Sequence, residues 1–355
     1  MAKKSSVNKK TTAVRRSFLI ALTLFASFII VVMAIGIGSV KISPTDIWRI
    51  VLHKLFDREL PDATEVNRVG ILWQVRLPRV LMAYIVGAAL SASGVVMQSV
   101  LRNPLASSYT LGVSSGASLG AAVVILFGVA STSRNSLAFP LAGFIGGVFV
   151  VFMVLAIAKR LDRGMGNTTI ILIGLVISQF FSGVLAIIMS LARETMEQLV
   201  RWQMGSFAGL GWVHVRIVLV VLIASTIVLL YYHRDLDVMT FGESQAKTLG
   251  VNVNFVKPFV LVVTAMLTGA SISLTGVIGF VDLISPHLTR RLFGSSMRIV
   301  LPMSMILGGS LMVLADLVAR TLLAPRELPV GAITAIIGAP FFAYVYFRKR
   351  KEGIA

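Results

Sequence analysis

Long apolar runs separated by short charged stretches organise this chain. Runs at 18–40, 80–101, 137–158, 169–191, 213–232 and 332–347 are each about as long as a helix that spans a bilayer. In hydrocarbon every backbone polar group must find a partner within the chain, so these runs predict helices. Glycine- and proline-punctuated apolar stretches between them extend the prediction to ten crossings: 17–40, 79–101, 110–130, 138–158, 168–191, 213–232, 257–275, a short one at 282–293, 300–323 and 329–347. The expected architecture is all-α, a single polytopic domain over residues 1–355. Two polar stretches interrupt it, at 41–79 and at 233–254, and both are long for simple connections. The first contains Trp48, Trp73 and several charges. The second contains the run from Gly242 to Gly250, with apolar residues at Val238, Phe241, Ala246, Leu249 and Val251.

Composition supports lipid as the solvent. Of the 355 residues 56% are hydrophobic and only 14% charged, against roughly 25% charged in soluble domains. The formal net charge of +18 would suit a nucleic-acid binder, but the cations sit between apolar runs, as charges that orient a membrane protein do. With both termini in the cytoplasm, 20 of the 33 Lys and Arg fall inside, including Lys3, Lys4, Lys9, Lys10, Arg15 and Arg16 of the basic tail 1–16. Eight of the 15 acids fall outside. The apolar run after the basic tail is too long for a signal peptide and reads as a retained first helix.

Shifting the chain by 182 residues lays 87–106 over 269–288 with seven identities, among them Gly94 on Gly276 and Pro104 on Pro286. Five crossings separate the two copies, so a true repeat would be inverted, a common transporter plan; shared small-residue helix packing gives the same pattern. Gly112, Gly116 and Gly120, and Gly143 with Gly147, have the spacing of closely packed helices.

The chemistry of catalysis is sparse. There is no cysteine and no phosphate-binding G-x-x-x-x-G-K-[ST] loop, and the four histidines, His53, His214, His233 and His287, lack metal-site spacing. The intramembrane ionisable residues are Asp282, Asp316 and Arg320, candidates for function by their location. Asp316 and Arg320, four apart, can pair on one helix face. Asp282 is either a proton site or a carboxyl hydrogen-bonded to its neighbour Ser285.

Several segments together resemble the permease subunits of ABC importers for ferric siderophores, haem and cobalamin (the FecCD type). They are Arg76-Leu77-Pro78-Arg79, Gly87 to Leu90 with Gly94, Met97 and Gln98, Asn103-Pro104-Leu105-Ala106, and Leu111 to Ala117. Further on come Gly242 to Gly250, Gly279-Phe280, Pro286-His287, Asp316 to Arg320, and Glu327-Leu328-Pro329 with Gly338-Ala339-Pro340. The resemblance covers nearly the whole chain. It implies a ten-helix protomer in the cell membrane that pairs, as homo- or heterodimer, with a second permease around a central pathway, helices 5 and 10 lining it. Two ATP-binding-cassette subunits would dock from the cytoplasm and carry the ATP, this chain binding no cofactor or metal. A substrate-binding protein or lipoprotein would dock outside on Arg76, Arg79 and Arg320. Gly242, Glu243, Ala246, Leu249 and Gly250 would form the ATPase-coupling stretch, the small residues permitting close approach. Asn103, Pro104, Asp282, Pro286 and Asp316 are structural or pathway candidates. Ferric siderophore is the first substrate expectation, haem or cobalamin the alternative. Reversing Arg76 or Arg320 to Glu is expected to impair uptake and leave folding intact. The rival classes are a proton-coupled secondary transporter using Asp282 and Asp316, and a membrane scaffold.

Overall fold

A computed structural model of the chain describes residues 2–38, 42–56, 65–127, 137–162, 164–191 and 196–351. Among the described residues every regular element is helical, as the hydrocarbon constraint requires. The first run forms α1 (Ala2–Gly36). The stretch expected as an outer loop at 41–79 is itself largely helical. It contains α2 (Pro44–Phe56) and α3 (Glu65–Gly70), the latter passing through a wide π-turn at Ile71–Arg76 into α4 (Leu77–Val100). Residues 57–64, with Asp57, Glu59 and Asp62, lie outside the described residues. α2 starts where Ser43 accepts the Asp46 N–H at 3.1 Å and Pro44 takes the first helical position, a conventional helix start. Its Ile47 and Ile50 are buried while Trp48 is exposed, so it is an amphipathic helix lying on the bundle.

A short 3₁₀ turn, Ser108–Leu111, leads into α5 (Val113–Leu126). There follow α6 (Ala138–Leu161), α7 (Asn167–Leu191), α8 (Met196–Gln203) and α9 (Trp212–Tyr231). The polar stretch 233–254 supplies α10 (His233–Met239) and α11 (Glu243–Thr248), before α12 (Val253–Thr275). The chain ends with α13 (Val281–Phe293), α14 (Met297–Thr321) and α15 (Val330–Lys351). Seven stretches are long and apolar enough to cross a bilayer, within α1, α3–α4, α6, α7, α9, α12 and α14. Shorter apolar helices α5 and α15 add to these, and α13 occupies the place of the short crossing expected at 282–293, so the count agrees roughly with the ten expected.

α4 and α12 form the centre. The most apolar window of α4 is 89% buried and that of α12 72%, against 28% for α7 and α9. The two central helices run antiparallel and meet through hydroxyls: Thr268 donates to Ser93 at 2.9 Å, and Ser93 also bonds Ser108. The helices approach closely where a side chain would collide with backbone. A Cβ on Gly116 or Gly120 would fall 2.4 or 2.2 Å from the carbonyl oxygens of Gly146 and Ala142 on α6, so small residues bind α5 to α6. The partner that spacing did not pick out is Gly146.

The 182-residue shift does not survive at the level of local structure. Gly94 is a helix-interior residue of α4 whose notional Cβ would strike the Asp282 carbonyl. Gly276, aligned with it, ends α12 at φ +76°, its backbone against the Trp202 carbonyl. The shared small residues reflect tight packing around one junction, and residues 276–280 then run non-helically back into α13.

Candidate functional site

Side-chain contacts sort the helix ends onto two faces. On the first, Arg76 donates to the Ile35 and Gly36 carbonyls at 3.1 and 3.0 Å, joining the end of α1 to the start of α4. Arg320, near the end of α14, bonds the Ala34 carbonyl. Arg79 bridges Asp316 at 2.8 Å and Glu327 at 2.7 Å. Trp212, opening α9, donates its Nε1–H to the Trp73 carbonyl at 2.8 Å, the two rings 5.2 Å apart. Val330, opening α15, donates to the Gly205 carbonyl at 3.0 Å, beside the end of α12.

On the opposite face the Met297 N–H, opening α14, donates to Asp237 of α10 at 2.7 Å. Arg102, past the end of α4, lies against Gly242. Arg290 of α13 donates to Ser99, Gln98 and the Val95 carbonyl at the end of α4. Lys257 of α12 joins α11 to the α6–α7 turn. The described helix ends therefore alternate between the faces. α14 makes one full passage, with Met297 on the second face and Asp316 and Arg320 on the first.

The first face differs from a display of free cations. Arg76 is 5% exposed. The Arg79 and Arg320 side chains are 11% and 8% exposed. Arg76 and Arg320 cap the carbonyl end of α1, where cations are favoured by the open carbonyls and the helix dipole. The expectation that reversing either one leaves folding intact is corrected on that ground. Asp316, a buried carboxylate, takes Arg79 as its chief partner across helices, with Arg320 at 3.5 Å as the second. Sequence spacing suggested the Arg320 pair; only the fold could supply Arg79. Glu327, whose side chain is 42% exposed, is the open edge of this cluster.

The interior candidates separate. Asn103 Oδ1 accepts the Leu105 N–H at 2.9 Å and its carbonyl the Ala106 N–H, so Asn103-Pro104 builds the turn after α4. Asp282 is buried beside Ser107, and neither of its oxygens nor the Ser285 hydroxyl makes a hydrogen bond of ordinary geometry. The expected Asp282–Ser285 bond is not formed. Pro286 is buried inside α13. His214 accepts the Gly211 N–H at the start of α9, and His233 bonds the Leu230 carbonyl, local roles at helix ends. Among the described residues no three His, Asp or Glu side chains converge on a metal-sized site.

On the second face, the stretch expected to couple to an ATPase forms α11. Gly242 precedes it at φ +128°, a conformation strained for any side chain. Of the small residues expected to permit close approach, Gly242 and Ala246 are buried, and Gly250 is exposed with open space where a Cβ would stand. Ala246 is fully buried against the bundle and Glu243 turns inward to Lys257, while the outward groups are Phe241 and Leu249, each 71% exposed. Asp162, past the end of α6, accepts the Gly166 and Gly164 N–H groups at 2.8 and 2.9 Å. These bonds hold its carboxyl below the usual carboxylate range. Sequence reasoning counted Lys257 only among inward charges and missed its role as a junction. An isolated Lys at the mouth of an apolar run was the only signal, and it does not name partners 14 and 90 residues away.

The pattern of the FecCD transport family matches residues 24–348. The chain is 37% identical over 323 residues, 91% of each protein, to an uncharacterized ABC transporter permease protein, YvrB, of Bacillus subtilis (strain 168). It is 32% identical over 355 residues, 97% of this chain and all of the relative, to the Fe(3+)-citrate import system permease protein YfmE of the same organism. A solved structure described as an inward-facing conformation of a metal-chelate type ABC transporter superposes with a TM-score of 0.78 at 32% identity. That match covers 94% of this chain and 99% of the other.

Proposed function

This chain belongs to the FecCD transport family and is a multi-pass permease subunit of an ABC importer, ATP being hydrolysed on separate subunits; from that premise we propose that it moves an iron chelate of the ferric siderophore class. The relative whose name carries ferric citrate and the metal-chelate type transporter of like fold support that substrate class. The second face is cytoplasmic and both termini lie there, in keeping with the basic residues around α10, α11 and the chain's start. The first face receives a binding protein. Its acids exchange with Glu327 for Arg79, which that exposed acid pairs at 2.7 Å; Arg76 and Arg320 hold the platform. The substrate passes between two permease protomers along α7 and α15. Both present exposed apolar residues, Leu172, Val176 and Phe180 on α7 and Ile336 on α15.

The observation that carries this reading is the exposure of Phe241 and Leu249 on the charged second face, flanking α11. Large apolar side chains at an aqueous face mark a partner site when they stand together. The test is uptake of radiolabelled ferric siderophore into proteoliposomes containing the permease, its ATPase and its binding protein. Uptake is expected to require ATP and to fall at least about tenfold in Phe241→Asp and Leu249→Asp, an interface loss of about 1.4 kcal/mol or more. Uptake by the permease alone along a pH gradient would contradict the proposal.

A further inference from the structure

Lys257 is 1% exposed, yet its ammonium is fully engaged. It donates to the Met165 carbonyl at 2.5 Å, to Asn167 Oδ1 at 2.6 Å and to Glu243 Oε1 at 2.6 Å. A lysine ammonium has three donors and here it has three acceptors. The acceptors lie on different parts of the fold: Glu243 opens α11, Asn167 opens α7, Met165 sits in the α6–α7 turn, and Lys257 itself is in the first turns of α12. Met165 is held at φ +50°. Asp162 fixes that turn through Gly164, Gly166 and the Thr169 hydroxyl at 3.3 Å.

We propose that Lys257 is the positioning residue that transmits movement of the coupling stretch into the membrane, pinning α11 to α7 and α12 so that the three shift together. The inference rests on the reading of 242–250 as the ATPase-facing segment and adds the route by which its motion enters the bundle. Removing one partner of a buried charge leaves the other unsatisfied, so displacement of Glu243 pulls the ammonium with it. The ammonium in turn carries the Met165 carbonyl and Asn167. α7 is sparsely buried along its length and packs on α5, α6 and the 3₁₀ turn, so a pull at its first residue meets little resistance. α12 is tightly packed at the centre of the bundle, so it moves as a rigid body. An arginine does not substitute, because a planar five-donor fork does not fit a three-acceptor cup.

The experiment uses the permease co-expressed with its ATPase and reconstituted with its binding protein, reading ferric siderophore taken up per ATP hydrolysed. A bifunctional cross-link from Gln245→Cys, exposed on α11, to the ATPase, clean because the chain has no cysteine of its own, reports docking separately. In Lys257→Met and Lys257→Arg the cross-link is expected to persist while uptake per ATP falls at least about tenfold. The exchange Lys257→Glu with Glu243→Lys is expected to recover part of it. Should Lys257→Met fail to fold, Glu243→Ala, which removes one acceptor at the rim, is read in the same assay with the same expectation. A normal cross-link with uptake per ATP within about twofold of the parent in these variants overturns the transmission role alone. Absence of the cross-link in the otherwise unaltered chain overturns the docking reading and the inference with it.

Discussion

The charges buried in this bundle are held by partners that sequence spacing does not reveal. Arg79 and Asp316 are 237 residues apart and meet at 2.8 Å; Lys257 and Asn167 are 90 apart. The sequence does disclose at which end of a crossing each group lies, because crossings can be counted. It does not disclose which group a flexible side chain reaches, because that depends on how helices pack. Counting crossings puts Arg76 and Arg320 at one end of the bundle, but only the fold shows that both are turned onto the last carbonyls of α1. Arg79→Met is expected to lower stability by about 3–5 kcal/mol by leaving Asp316 without its chief partner, seen as a drop in detergent unfolding temperature. Glu327→Gln, at an exposed edge, is expected to leave that temperature unchanged and to alter the salt dependence of binding-protein association. Asp162 has the opposite exposure and a pH signature. Its carboxyl is held below the unfolded value, so its contribution is present above about pH 4 and is lost as pH falls through the lowered folded value. Hydrogen exchange at Gly164 and Gly166 is expected to quicken on acidification through that range, and Asp162→Ala to remove the dependence.

At the scale of elements, several long apolar runs are legible to within a few residues, although α1 extends back through the basic tail to Ala2. The run expected at 138–158 is α6 (Ala138–Leu161), and that at 213–232 is α9 (Trp212–Tyr231). Lipid as solvent leaves one backbone solution, so length and hydropathy suffice. The polar stretches were less legible. Residues 41–79 contain helices because Ile47 and Ile50 bury one face of α2, a tertiary contact that a polar composition conceals. Around α11, Gly242 and Ala246 prove to be buried, and the large apolar groups that face outward, Phe241 and Leu249, flank the helix. Glycine spacing identified α5 as a close-packed helix without identifying Gly146 opposite it. Gly120→Val is expected to force α5 and α6 apart, costing about 1–3 kcal/mol and lowering the yield of folded protein in detergent. Gly183, with open space where a Cβ would stand, is expected to tolerate Ala in the same assay.

For the whole molecule the proposal comes down to an alternation of passes between a face with Arg76, Arg79 and Arg320, proposed to receive the binding protein, and a face bearing α10 and α11, proposed to receive the ATPase. The contact sets at the two ends of α14 separate the two faces, since Met297 bonds Asp237 at one end and Asp316 bonds Arg79 at the other. The measurement that tests the claim most directly is labelling of single cysteines, introduced into a chain that has none, with a membrane-impermeant maleimide in intact cells and in opened membranes. The account predicts that Glu327→Cys reacts in intact cells, while Leu249→Cys reacts only after the membrane is opened. Labelling of Leu249→Cys in intact cells, or protection of Glu327→Cys there, would contradict it.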